Sequence, residues 1–187
     1  IADDIREKFL EAKAVGFGLR GVVIPAARQV AARAIRLGDP EHGRRGVGEH
    51  LQAALALRQA AFDQPYYRLV YGDSDTLPGI VIDRFGDILV LQLNNDGLER
   101  YREPLLAALV ALLQPSGILL RADSRSRREQ GLATESEVIY GDVPQQVPLQ
   151  ENGVHFLAPV YTGQKTGWFY DHRMSRVRLA AWVKDKS

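Results

Sequence analysis

The chain has no cysteine among its 187 residues. That removes disulfides, thiolate metal sites and a cysteine nucleophile from this segment, and fits a reducing compartment such as the cytoplasm. Histidine is scarce too: His42, His50, His155 and His172 are scattered without metal-ligand spacing, so no metal is expected. No run of about 18 apolar residues could span a bilayer, and the opening Ile1-Ala2-Asp3-Asp4-Ile5-Arg6-Glu7 is too acidic for a signal peptide. No membrane partner is expected. The sequence lacks an initiator methionine and stops on Lys184-Asp185-Lys186-Ser187 without a terminal signature, so it reads as a piece of something longer. Lysine is sparse beside arginine, although the net charge is only +1. This bias suits an anionic partner, because guanidinium groups fork onto phosphates and stack on bases; it equally suits a genome that favours arginine codons.

What is present points to an ordinary folded domain, or two small ones, with 45% hydrophobic residues to supply a core. Residues 2–14 read as a short amphipathic helix leading into Gly16-Phe17-Gly18-Leu19-Arg20-Gly21. That spacing matches a dinucleotide fingerprint, but the order is reversed: a charged helical stretch precedes the glycines and the β-prone Gly21-Val22-Val23-Ile24-Pro25 follows them. The dinucleotide reading is therefore rejected. Residues 27–37 suit strand or helix, and 38–48 read as a loop rich in glycine and charge. From 49 to 62, Leu51, Ala54, Leu55, Arg58 and Phe62 recur at helical spacing.

From Tyr66 onward the pattern is that of an α/β (α+β) fold with a mixed sheet and flanking helices. Strands are expected at 67–71, 80–85 and 88–93, the last two joined by Gly86-Asp87 as a hairpin turn. A helix follows at 100–113 with Tyr101, Leu105, Leu106, Leu109, Leu112 and Leu113 on its apolar side, then a strand at 117–121 and a short helix or turn at 123–131. Strands at 137–140 and 154–158 flank a proline-containing loop. A last helix from His172 to about Lys184 takes Asp171 as its N-cap.

Four groups of residues invite a functional reading. The run Gly163-Gln164-Lys165-Thr166-Gly167-Trp168-Phe169-Tyr170-Asp171-His172-Arg173 crowds amide, amine, hydroxyl, carboxylate and guanidinium groups around three aromatics and two glycines. It suits a small-molecule or nucleotide contact, or else a turn into a helix with a polar first turn. Arg173 and Arg176 near that helix start oppose the helix dipole by a few tenths of a kcal/mol each, a sign that a nearby anion would reverse. Arg121, Arg125, Arg127 and Arg128 form a basic knot that suits RNA phosphate, or else a solvated face partly neutralised by Asp123 and Glu129. Asp73-Ser74-Asp75 with Pro78-Gly79 is turn chemistry rather than a general acid/base pair. Asp83-Arg84 reads as an exposed hairpin pair of small energetic weight.

The stretch Tyr67-Arg68-Leu69-Val70-Tyr71-Gly72-Asp73-Ser74-Asp75-Thr76-Leu77-Pro78-Gly79-Ile80-Val81-Ile82-Asp83-Arg84-Phe85-Gly86-Asp87, followed downstream by Gly163 to Gly167 with Phe169, Asp171 and Arg173, resembles the RlmI-like family. These are class I S-adenosylmethionine-dependent methyltransferases acting on carbon 5 of a cytosine in 23S ribosomal RNA. The resemblance covers about Leu51 to Arg176 and weakens before Arg45. It implies three parts: residues 1–45 as a remnant of an N-terminal PUA-like RNA-binding domain, 46–160 as the central α/β domain, and 161–187 as the segment entering a Rossmann-like catalytic domain. It implies S-adenosylmethionine contacts from Gln164, Lys165, Thr166, Gly167, Phe169, Asp171 and Arg173, and ribosomal RNA as partner, in the cytoplasm. A homodimer is left open.

The family's glycine-rich cofactor loop and catalytic cysteines have no counterpart here. The segment alone is therefore expected to be inactive, and its terminal run to be exposed, mobile and weak in binding. The other readings are a stand-alone RNA-binding or ribosome-assembly module and a related methyltransferase with a different target.

Overall fold

The computed structural model describes residues 40–183. The expectations for 2–37, including the glycine triplet and most of the 1–45 remnant, lie outside the described residues. The first element is α1, Pro40–Ala61. It begins where a loop was expected, and the 45/46 domain boundary falls inside it. Proline suits the first helical position, and the apolar stripe starts a turn earlier than Leu51: Val47, Leu51, Ala54 and Leu55 are all buried. Burying that stripe offsets the roughly 1 kcal/mol that each internal glycine costs.

Five strands form one mixed sheet in sequential order: β1 Tyr66–Tyr71, β2 Ile80–Phe85, β3 Ile88–Leu93, β4 Gly117–Leu120 and β5 Glu137–Gly141. Neighbours are antiparallel except β3 and β4, which run parallel. The parallel pair needs a crossover, and α2, Arg102–Leu113, supplies it with Leu105 and Leu109 fully buried. The acidic stretch Gly72–Asp75 is a 3-10 turn, as its turn chemistry required.

Side chains of β2, β3 and β4 alternate between two cores. Ile82, Leu89, Leu91, Ile118 and Leu120 face α1 and α2. Phe85, Val90 and Leu119 face the opposite way, onto Val147, Leu149, Ala158 and Val160. The second cover comes from an antiparallel hairpin of β6, Val147–Glu151, and β7, Val154–Ala158. A loop was expected over the β6 residues. Asn152 and Gly153, with φ of 54° and 78°, make the turn that asparagine-glycine pairs favour, and Pro148 leaves β6 without one N–H at no cost in so short a ribbon. No helix among the described residues is long and apolar enough to cross a membrane.

After β4, the short helix α3, Arg125–Glu129, starts with Ser124 as its N-cap, accepting a hydrogen bond from the Arg127 backbone N–H. The described residues end on α4, Arg173–Val183. Asp171 is not its N-cap. It sits inside a 3-10 turn, Tyr170–His172, and its carboxylate accepts instead from Lys165 at 3.0 Å.

Candidate functional site

The second core carries two buried carboxylates, and the run 163–173 is folded onto both. Asp83 lies on the same face of β2 as Phe85, directly opposite Arg68 in the β1–β2 register. Arg68 donates to it twice, from Nε at 2.8 Å and Nη2 at 2.9 Å, and the Thr166 hydroxyl donates to the same carboxylate. The Asp83 side chain is wholly buried, so the exposed hairpin pair expected from the sequence is corrected. Period-two alternation places Asp83 inward and sends Arg84 to the other face, where its Nη1 donates to the Tyr67 hydroxyl at 3.0 Å. Burial works against the charge of Arg68, but the hydrogen bonds and charge of Asp83 outweigh it and raise the guanidinium pKa.

Glu151, at the end of β6, is the second anchor. Arg176 donates to it from Nε at 2.5 Å and Nη2 at 3.0 Å, Arg173 from Nε at 3.4 Å, and the Trp168 indole N–H at 3.1 Å. The two arginines that oppose the dipole of α4 are thus answered by a buried anion of the chain itself. Burial alone would push the Glu151 carboxyl up; the hydrogen bonds from Arg176 and Trp168, with the charges of Arg176 and Arg173, hold it below the usual carboxylate range.

Three further contacts seat the run. The Tyr170 hydroxyl donates to the Arg84 carbonyl at 2.7 Å while its ring tilts against Phe85; burial foremost, with the Asp83 charge, pushes its pKa well up. Trp168 packs on Phe156 with ring centroids 4.8 Å apart. Arg173 Nη2 donates to the Tyr66 carbonyl. Gly167 adopts φ +104°, and a Cβ there would lie 3.0 Å from the Val160 Cα and 3.1 Å from the Pro159 carbonyl oxygen. Gly167→Ala should therefore cost about 2 kcal/mol, read as a fall in the denaturant midpoint; an unchanged midpoint would show that the turn tolerates a side chain.

The basic knot divides. Arg121 is buried: it pairs with Asp123 and donates to the carbonyls of Val160 at 2.7 Å and Gly163 at 3.1 Å, so it holds the start of the run. Arg127 is buried as well, donating to the carbonyls of Leu93 and Ala133 and pairing with Glu99 at 2.6 Å. Neither is free for RNA phosphate, because each completes a set of carbonyl acceptors that would otherwise be orphaned. Arg125 and Arg128 remain on the surface, Arg125 paired with Glu129.

The donor-contact residues divide similarly. Thr166 is fully buried, Gly167 is committed to packing, and Arg173 spends Nε and Nη2 on Glu151 and the Tyr66 carbonyl. Gln164, Lys165 and Asp171 are exposed and Phe169 is half-buried, stacked on His172 with Lys165 over its ring. The expectation of an exposed run is corrected in part: Gln164, Lys165, Asp171 and His172 are exposed, but Thr166 is buried and the run is held by the partners of Asp83, Glu151 and Arg121.

Where the run meets α1 and β1 it closes an open cleft of about 370 Å³, lined among others by Arg58, Phe62, Arg68, Tyr71, Lys165 and Arg173. Sequence reasoning named Arg58 and Phe62 only for helical spacing and Arg68 and Tyr71 only within the family motif, and gave none of them, nor Glu151, a place in a site. The signals were present as an arginine on the apolar stripe of α1, a charge inside each of two strand patterns, and the asparagine-glycine turn. Among the described residues no group of three or more acidic or histidine side chains could hold a metal ion.

No protein-family profile matches the chain. Curated relatives named ribosomal RNA large subunit methyltransferase I do: the one from Shewanella denitrificans is 40% identical over 122 residues, covering 65% of this chain and 31% of the relative. That from Aliivibrio fischeri is 41% identical over 141 residues, covering 73% and 36%, and that from Pseudoalteromonas atlantica 38% identical over 120 residues, covering 64% and 30%. Among solved structures, a Streptococcus mutans protein assigned as a SAM-dependent methyltransferase superimposes with a TM-score of 0.61 at 25% identity, over 73% of this chain and 35% of that one. A methyltransferase complexed with SAH gives the same figures. The chain spans about a third of the length of the proteins it matches. Over that third, it is a homologue of the ribosomal RNA large subunit methyltransferase I proteins.

Proposed function

We propose that the chain is the central part of an S-adenosylmethionine-dependent methyltransferase that modifies carbon 5 of a cytosine in 23S ribosomal RNA, in the cytoplasm. Residues 46–160 make its central domain and 161–187 lead into the part that binds the methyl donor. The observation that carries this reading is the docking of Gly163 to Arg173 onto Asp83 and Glu151, in a chain 40% identical over 121–122 residues to proteins named ribosomal RNA large subunit methyltransferase I. A run that merely linked two domains would have no need of two buried carboxylates.

The residues fit a donor in part. Gln164, Lys165, Phe169 and Asp171 stay accessible and offer an amide, an ammonium, a ring and a carboxylate, the groups that orient a polar ligand beside an apolar surface. Thr166, Gly167 and Arg173 set the shape of that rim rather than touch the ligand. Bound S-adenosylmethionine would supply the methyl group; this segment's own contribution is to present the rim. Arg125 and Arg128 supply cations for RNA phosphate.

Deleting the gene and mapping 5-methylcytosine in 23S ribosomal RNA by bisulfite sequencing tests the reading. One modified cytosine should become unmodified and return when the gene is restored. An unchanged modification map would sink the proposal and favour an RNA-binding or assembly module.

A further inference from the structure

The cleft between α1, β1 and the terminal run carries four cations, Arg58, Arg68, Lys165 and Arg173, against one carboxylate, Asp171. Three of the partner carboxylates stand behind the cations, outside the lining: Asp75 behind Arg58, Asp83 behind Arg68 and Glu151 behind Arg173. Their oxygens are already occupied. Asp75 accepts from Arg58 twice and from the Tyr71 N–H, Asp83 from Arg68 twice and from Thr166, and Glu151 from Arg176 twice, Arg173 and Trp168.

Two guanidinium nitrogens have nothing to do. Arg68 spends Nε and Nη2, and Arg173 spends Nε and Nη2, so the Nη1 of each has no acceptor among the described residues. No buried side-chain nitrogen there is left unpartnered, so both Nη1 atoms reach solvent. Aromatic rings interleave with these donors. Tyr71 is 57% exposed with Arg68 lying 5.3 Å from its centroid, and Arg173 lies 4.7 Å from the Phe62 centroid. An exposed ring beside guanidinium donors is a platform on which a base can stack.

From this we infer that the cleft is a nucleotide subsite for single-stranded RNA, holding a phosphodiester on Arg68, Arg173 and Lys165 with a base on Tyr71. It rests on the RNA methyltransferase reading and adds to it a place, on the central domain, where the substrate strand is gripped. The spare donors, rather than net charge, decide between the two ligands that such an enzyme handles, because each lining cation is already paired with a carboxylate. S-adenosylmethionine offers the two free Nη1 atoms one carboxylate beside a sulfonium and an ammonium, whereas every phosphodiester offers them an anionic pair of oxygens. The rings decide between RNA and an acidic peptide, because every base offers a face to stack on and an aspartate or glutamate offers none.

Fluorescence anisotropy of a labelled single-stranded RNA of about ten nucleotides, long enough for one such groove, provides the test with the whole 187-residue chain. Tyr71→Ala should weaken binding about tenfold, the loss of one base stack. Lys165→Gln should lower the slope of log affinity against log salt by about one. Arg100→Gln, which removes an exposed cation outside the lining, should leave the affinity within about twofold. Tyr71 lies largely in solvent, so its removal leaves the fold intact, which a matching thermal unfolding curve verifies. The inference is overturned if the chain binds no RNA at low salt, if Tyr71→Ala binds RNA like the parent chain, or if polyglutamate displaces the RNA as well as unlabelled RNA does. It is overturned equally if Tyr71→Ala loses S-adenosylmethionine by calorimetry and keeps RNA, which would hand the cleft to the donor. These results leave the methylation map of the gene deletion untouched, so the subsite can fail while the proposed function stands.

Discussion

Asp83→Asn should destabilise the protein by about 3 kcal/mol, seen as a large fall in the urea midpoint with an unchanged slope. Asparagine keeps the shape of the side chain and removes its charge. Arg68, whose side chain is one-fifth exposed, is then left with its charge uncompensated beside a buried amide, and the Thr166 hydroxyl loses its ionised acceptor. Breaking a buried pair from one side costs far more than the pair contributes, because the remaining charge carries its whole desolvation penalty. The effect is also directional along the chain: Thr166 ties residue 83 of the sheet to the terminal run, so the run should loosen with it. Arg68→Met added to Asp83→Asn should therefore cost much less than the sum of the two single changes, a double-mutant signature of direct coupling. Additive losses would show that Asp83 acts through packing alone.

Glu151→Gln should release the terminal run without unfolding the sheet. The Glu151 side chain is fully buried and gathers Arg173, Arg176 and Trp168, so its neutralisation leaves two guanidinium groups facing an amide, at about 3 kcal/mol. The chain reports this itself. Of its two tryptophans, Trp182 is 76% exposed in the folded protein, while Trp168 is packed on Phe156. Emission should therefore shift to the red through Trp168 in the variant at neutral pH. Acid should produce the same shift in the parent chain. The folded-state pKa of Glu151 lies below its ordinary value of 4.5, so its contribution is complete above that pH and is lost as pH falls through the lower folded value. The Lys165–Asp171 pair acts with the same sign, its contribution being lost as pH falls below the ordinary 3.8 of the Asp171 carboxyl, since burial pushes that carboxyl up and Lys165 more than reverses it. A Trp168 signal that stays blue in Glu151→Gln, or a transition already under way near pH 6, would remove Glu151 from this role.

Both predictions concern residues that a reading of local pattern either passed over or misjudged. Asp83 looked like one half of an exposed pair with Arg84 because the two are adjacent in sequence. Adjacent strand residues point to opposite faces, and the partner that matters for Asp83 is Arg68, fifteen positions earlier and directly across the ladder. Arg121 and Arg127 looked like members of one basic knot for the same reason. Once β4 enters the sheet, Arg121 meets the carbonyls of Val160 and Gly163, some forty positions on, while Arg127 meets those of Leu93 and Ala133. Arg125 and Arg128 have no such acceptors within reach and stay outside.

Local chemistry was sufficient wherever the cause was local. The strands β2 and β3, the Gly86-Asp87 turn between them, the apolar stripe of α2 and the acidic turn at 72–75 follow from strand-forming runs, turn residues and helix spacing, and the structure contains all of them. The paired motifs were enough to point to the family. Tertiary structure alone decided what the terminal run rests on and which arginines are free. A buried carboxylate and a solvated one are the same letter in a sequence, and only the folded sheet determines whether water or Arg68, Arg173 and Arg176 neutralises it.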